Sequence, residues 1–153
     1  MSTSVTEPRL SATRRPWHLW VVSVVMMGLY AIGARDLVLT WLHDEAYFEG
    51  LGYGPRQLAY FMDYPVVPAV FWAINIAAGL VTPVLLVARS RWAVPTVLVA
   101  ATAQLILMAI TFGFMGRWSV LGLRLSLTDM AVATFTLGVW LYSRVLRRRG
   151  VLT

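Results

Sequence analysis

Residues 65–115 read PVVPAVFWAINIAAGLVTPVLLVARSRWAVPTVLVAATAQLILMAITFGFM, and this stretch decides the fold. It holds two apolar runs, about 66–88 and 93–115, each long enough to cross a hydrocarbon layer of ~30 Å as a helix. Arg89 and Arg91, between the runs, are its only formal charges. So short a turn forces the two helices into an antiparallel hairpin. Pro83, inside the first run, predicts a kink, because its ring removes a backbone donor and crowds the preceding turn.

Two further runs flank the hairpin. Upstream, WHLWVVSVVMMGLYAIGA begins at Trp17, carries no formal charge, and predicts a span over about 17–37. Downstream, a connection from Gly116 to Arg124 leads into a fourth span over about 125–146, closed by the basic end RVLRRRG. The predicted fold is all-α, an integral membrane four-helix bundle forming one domain over residues 1–153. Composition agrees: 59% of residues are hydrophobic and only 13% charged, and the mean hydropathy is +0.70. These values exceed what a soluble fold needs.

Residues 1–16 are rich in Ser and Thr, contain Arg9, Arg14 and Arg15, and read as a short disordered cytoplasmic tail. Arg14-Arg15 before an apolar run also describes a twin-arginine signal. Pro16 directly after the pair, the length of the run, its Trp and Tyr content and the lack of an A-x-A site favour a retained span.

Orientation follows from the arginines. With four spans both termini share a side, which holds Arg9, Arg14, Arg15, Arg89, Arg91, Arg144, Arg147, Arg148 and Arg149. The opposite side holds Arg35, Arg56, Arg117 and Arg124, mixed with Asp36, Asp44, Glu45, Glu49 and Asp63. The positive-inside rule then predicts N-in and C-in, with anionic lipid headgroups as partners of the arginine-rich ends. Trp17, Trp20, Trp41, Trp92, Trp118 and Trp140 fall near predicted span ends, where amphipathic indoles collect. All 13 basic residues are arginine, a usage associated with GC-rich bacteria, so a bacterial inner membrane is the expected location. The net charge of +6 lies beside the spans and is not read as a nucleic-acid footprint.

The outer loop, about 38–65, is the one long connection. Gly50, Gly52 and Gly54 interrupt it, and Pro55 opens a short helix, PRQLAYFMDY, with Leu58, Phe61 and Met62 on one face. That helix is expected to lie in the membrane interface.

Few residues could carry chemistry. There is no cysteine, and the two histidines, His18 and His43, would be roughly 37 Å apart along a helix, so they cannot share a haem. His43-Asp44-Glu45 lacks the further ligands of a metal set and reads as a solvated loop. No cofactor, metal or catalytic residue is assigned, and no enzymatic activity is expected. The polar candidates lie in or beside the spans. Asn75 and Gln104 fall at one depth near the middle of spans two and three, which predicts a mutual hydrogen bond, or a polar point on a substrate path. Asp36, Asp129 and Arg124 fall near the outer interface, where ionisable groups must be paired, wetted or functional; Arg124 or Arg35 is the expected partner of either carboxylate. Ala69, Ala73 and Ala77 form a small-residue stripe suited to close packing.

The segments PWHLW, DEAYFEGLGY, PRQLAYF and MDYP resemble a family of small bacterial four-helix inner-membrane proteins that often carry a sugar-transporter label. The chain has Asp44 and Arg56 where that family has Asn and Glu. The resemblance implies a small multi-pass protein with a transporter-like or permease-like role, or else an accessory subunit of a larger membrane complex. Four short spans enclose little volume, so a homo-oligomer or larger assembly is expected in either case.

Overall fold

The computed structural model describes residues 17–153; the N-terminal tail and its three arginines lie outside them. The described residues are helical, without strands: α1 (Trp17–Trp41), α2 (Glu45–Gly50), α3 (Pro55–Met62), α4 (Val66–Val87), α5 (Ala93–Gly113) and α6 (Arg117–Arg148). Four of these, α1, α4, α5 and α6, are long and apolar enough to cross a membrane. In a bilayer this arrangement satisfies backbone groups within each helix, which is why such sequences settle as bundles.

Neighbours in the bundle run α1, α4, α5, α6. The α1 and α6 backbones keep further apart, and side chains span the gap. The Tyr30 hydroxyl lies 2.8 Å from Thr136 Oγ1, and His18 Nδ1 meets the Tyr142 hydroxyl. The ring of Tyr30 crosses the bundle over Gly79. A Cβ at that glycine would lie 2.0 Å from the ring, so only glycine admits it there.

Two helices differ from the sequence expectation. α1 continues past residue 37 to Trp41, because LVLTW is apolar enough to extend the run. The stretch from Gly116 to Arg124, expected as a connection, is mostly helical, so α6 starts at Arg117 and bends at Gly122. Gly122 has φ 79° and ψ 179°, a conformation essentially reserved for glycine. The Ser126 hydroxyl donates to its carbonyl at 2.9 Å. Further along α6, Thr128, Thr134, Thr136 and Ser143 donate to carbonyls four residues back, so their hydroxyls need no water. α4 carries Pro83 within one continuous helix.

The two ends of the bundle are built differently. Toward the termini, Leu19, Met26, Leu86, Val97, Val139 and Leu146 form a closed core, completed by Leu152. Residues 151–153 fold back onto the α4–α5 turn. There Thr153 N–H donates to Arg89 O at 2.8 Å, Arg91 N–H donates to Thr153 O at 3.0 Å, and Arg89 Nε donates to Val151 O at 2.9 Å. At the other end, α2 and α3 cover the helices with a second cluster of Phe48, Phe61 and Leu121, joined by Tyr47, Tyr53, Leu58, Tyr60 and Tyr64. Asp44 is the N-cap of α2, accepting from Tyr47 N–H at 2.7 Å. In α3, Leu58 and Phe61 turn into this cluster whereas Met62 is exposed. The Gln57 side chain ties α3 down, accepting from Gly54 N–H and donating to the Val120 carbonyl of α6 at 3.2 Å.

Candidate functional site

Below the aromatic cover lies a cavity of about 210 Å³. Its roof comes from the loop residues Tyr47, Tyr53, Phe61 and Tyr64, and its back wall from Trp72, Asn75, Ile76, Gln104 and Leu107 of α4 and α5. Asp36 on α1 and Arg117 and Asp129 on α6 supply the charged groups. Tyr30 forms the floor, so the cavity ends where the closed core begins.

Rings pack the roof edge to edge and face to face. Tyr53 and Phe61 are stacked at 5.8 Å between centroids and 4° between planes, and Phe61 stacks on Tyr64 at 6.0 Å. Tyr64 then meets Trp72 in a T-shaped contact at 6.1 Å, which couples the loop to α4. Burial raises the phenol pKa of Tyr53 and of Tyr64. The Tyr47 phenol is raised as well, first by burial and then by the neighbouring Asp36 carboxylate, to which its hydroxyl is turned. These hydroxyls therefore remain neutral donors at physiological pH. Arg35 stacks over the Tyr47 ring at 5.7 Å but is exposed and does not line the cavity.

The charged candidates separate clearly. Asp129 forms a two-pronged ion pair, accepting from Arg117 Nε at 2.6 Å and from Arg117 Nη2 at 3.2 Å. Neither Arg124 nor Arg35, the expected partners, takes this role. The bend at Gly122 folds the first helical turns of α6 back so that Arg117 reaches a residue twelve positions on, a contact that no straight helix would allow. Arg124 is exposed and stands apart from the cavity. Asp36 lines it with no ion-pair partner among the described residues. The lining thus carries one net negative charge, since Arg117 offsets one of two carboxylates.

The amides Asn75 and Gln104 both line the cavity, but the hydrogen bond expected between them does not form. Asn75 Nδ2 instead donates to the Ala100 carbonyl at 2.8 Å and to the Tyr30 hydroxyl at 3.4 Å. The sequence placed both amides at the right depth but could not show that a carbonyl one helical turn from Gln104 lies closer. Asn75 is consumed in holding Tyr30 across the bundle. Gln104, 6% exposed, turns its amide to the cavity.

Missed from sequence were Arg117, Tyr30 and the roof aromatics. Tyr30 had a legible signal in its hydroxyl within an apolar run, which demands a partner. Arg117 had none, because its role depends on the Gly122 bend.

The most exposed of the lining residues are Ile32 of α1, at 61%, and Thr128 of α6. They stand on the two helices whose backbones keep apart. Ile32 is nine residues before the end of α1, about 14 Å along the axis. No family model matches this chain, no curated protein matches it, and no solved structure matches it.

Proposed function

We propose that this multi-pass membrane protein is a transporter-like or permease-like unit that binds a small molecule between its helices, and that it is not an enzyme. The observation that carries this reading is the cavity itself. A bundle of four short helices in lipid gains stability from close packing, and its other half packs solidly, yet this half keeps a hollow lined by polar groups. Polar groups facing a hollow at membrane depth are costly unless they meet a ligand or water.

In this reading the chain sits in a bacterial inner membrane with the cavity in the outer half and both termini in the cytoplasm. Arg144, Arg147 and Arg148, which border a shallow cleft with Val94, face anionic headgroups. The resemblance to small four-helix proteins labelled as sugar transporters agrees with a solute-handling role. The second reading, an accessory subunit in a larger complex, is supported by exposed apolar residues around the bundle and by Ala77, which is exposed on α4. Lipid accounts for both features equally well, and the cavity supports the first reading.

The absence of cysteine makes a direct test simple. Single-cysteine variants Gln104→Cys, Val97→Cys and Gly52→Cys are purified in mild detergent and treated with the small neutral reagent methyl methanethiosulfonate. Gln104→Cys is expected to react in the folded protein within about tenfold of the exposed Gly52→Cys, because access and not thiol chemistry limits it. Val97→Cys, fully buried in the closed core, should react only on unfolding. A Gln104→Cys as inert as Val97→Cys would mean a closed cavity and would end the binding reading.

A further inference from the structure

We infer that the cavity selects an amphipathic organic cation: a compact ammonium-like head held among the roof aromatics beside Asp36, with an apolar remainder directed into the gap between α1 and α6. This rests on the binding reading above and adds the chemical class of the ligand.

Three independent features point to that class. The first is charge. Arg117 gives two of its three guanidinium nitrogens to Asp129, so the charges of this pair largely offset each other, whereas Asp36 has no ion-pair partner among the described residues. A carboxylate in a low-dielectric hollow attracts a cation far more strongly than it would in water, and an anion would meet it without compensation.

The second is the lining. Tyr47, Tyr53, Phe61 and Tyr64 form the roof, and Trp72 meets it from the back wall. Aromatic rings attract cations through the negative potential of their faces, and quaternary ammonium groups are the ligands such enclosures favour. With their phenols held neutral by burial, the tyrosines add no competing negative charge. Of the two amides in the lining, Asn75 is already engaged with Ala100 and Tyr30.

The third is the route. The most exposed lining residues, Ile32 and Thr128, stand on α1 and α6, whose outer faces meet lipid in this reading. A permanently hydrophilic solute would have to leave water for hydrocarbon to enter between them. An amphiphile already resides in the bilayer with its head near the interface, about the level of Asp36, and needs only to slide sideways. Arg35, stacked over the Tyr47 ring, does not line the cavity.

Protection of the engineered thiol tests this. Gln104→Cys is treated with methyl methanethiosulfonate in the presence of benzyltrimethylammonium or, at equal concentration, phenylmethanesulfonate, an anion of similar size. The ammonium is expected to slow modification saturably and the sulfonate to leave it unchanged, while Gly52→Cys responds to neither. Adding Asp36→Asn should raise the half-protecting ammonium concentration about tenfold or more. Asp36→Glu, which keeps the charge, should retain most of the protection and serves if the amide variant does not fold. Protection by the sulfonate, by neither probe, or undiminished in Asp36→Asn would overturn the cation assignment while leaving an accessible binding cavity in place. A thiol that never reacts would instead strike the binding reading itself, so the two failures cannot be confused.

Discussion

The two halves of this bundle use the same four helices to opposite ends. Toward the termini, Met26, Leu86 and Val97 are fully buried against one another and residues 151–153 seal the α4–α5 turn with backbone hydrogen bonds. Toward the loops, the helices separate around a hollow, and closure passes to aromatic rings carried on α2 and α3. What divides the halves is one polar layer at mid-depth, where Tyr30 lies over Gly79 and is held by Thr136 and Asn75. Below it packing is complete; above it the chain leaves room.

The strongest way to break this contrast is to dislodge the dividing layer. In Gly79→Ala the new methyl would meet the Tyr30 ring at 2.0 Å, and neither the ring nor the α4 backbone can yield enough to relieve it. Overpacking of this kind costs about 3 kcal/mol, with loss of the Tyr30–Thr136 and Tyr30–Asn75 hydrogen bonds as its structural sign. A clear fall in melting temperature in detergent is therefore expected. Gly28→Ala on α1 provides the control, since nothing lies within 4 Å of the added carbon, and it should leave the temperature unchanged or slightly raised. Equal effects of the two changes would mean that Tyr30 does not divide the bundle.

The next largest effect belongs to the open half. Asp129→Asn leaves Arg117 partly buried without its counter-charge and should cost about 2 kcal/mol. Combining it with Arg117→Gln should recover part of that loss, because two neutral side chains can share a hydrogen bond where one charge and one amide could not. The measurement is the melting temperature of the single and double variants. If Arg124→Gln instead of Arg117→Gln restores Asp129→Asn, the bend at Gly122 does not bring Arg117 where it is described.

This bend also marks the limit of what the sequence revealed. Hydrophobic runs and their charged punctuation carried the four long helices and the depth of Asn75 and Gln104, because burial in lipid acts on every residue of a span. Pro55 likewise announced α3. The ion pair was not legible, since nothing local distinguishes Gly122 as a hinge from a glycine packed in a helix, and with the bend unknown Arg117 seemed to belong to a connection. α2 was hidden for a related reason: EAYFEG is too short for periodicity, and its cap, Asp44, looked like part of a polar loop. The roof escaped because ring stacking depends on how two short helices are set against each other, which is a tertiary fact. Of the cavity, then, sequence supplied the polar points and structure supplied the enclosure.

The smallest effect expected is a coupling close to zero, and it sharpens the account of the dividing layer. Asn75 and Gln104 share a depth and line one cavity, so proximity alone would suggest that they support each other. Their roles differ, however. Asn75 donates to Ala100 and Tyr30 and so belongs to the layer, while Gln104 faces the hollow. Asn75→Leu should cost about 1 kcal/mol through the lost hydrogen bonds. Gln104→Leu should cost less, because a leucine of similar size can occupy the same wall, and no protein partner is left unsatisfied. The double variant should then equal the sum of the singles within about 0.5 kcal/mol, as for sites without a shared partner. A coupling well above that value, with the double variant milder than the sum, would show that the two amides do bond in the membrane. The Tyr30 layer would then extend to α5 by a side chain as well as by the Ala100 carbonyl, and Gln104 would be part of the bundle's structure and no longer free to meet a ligand.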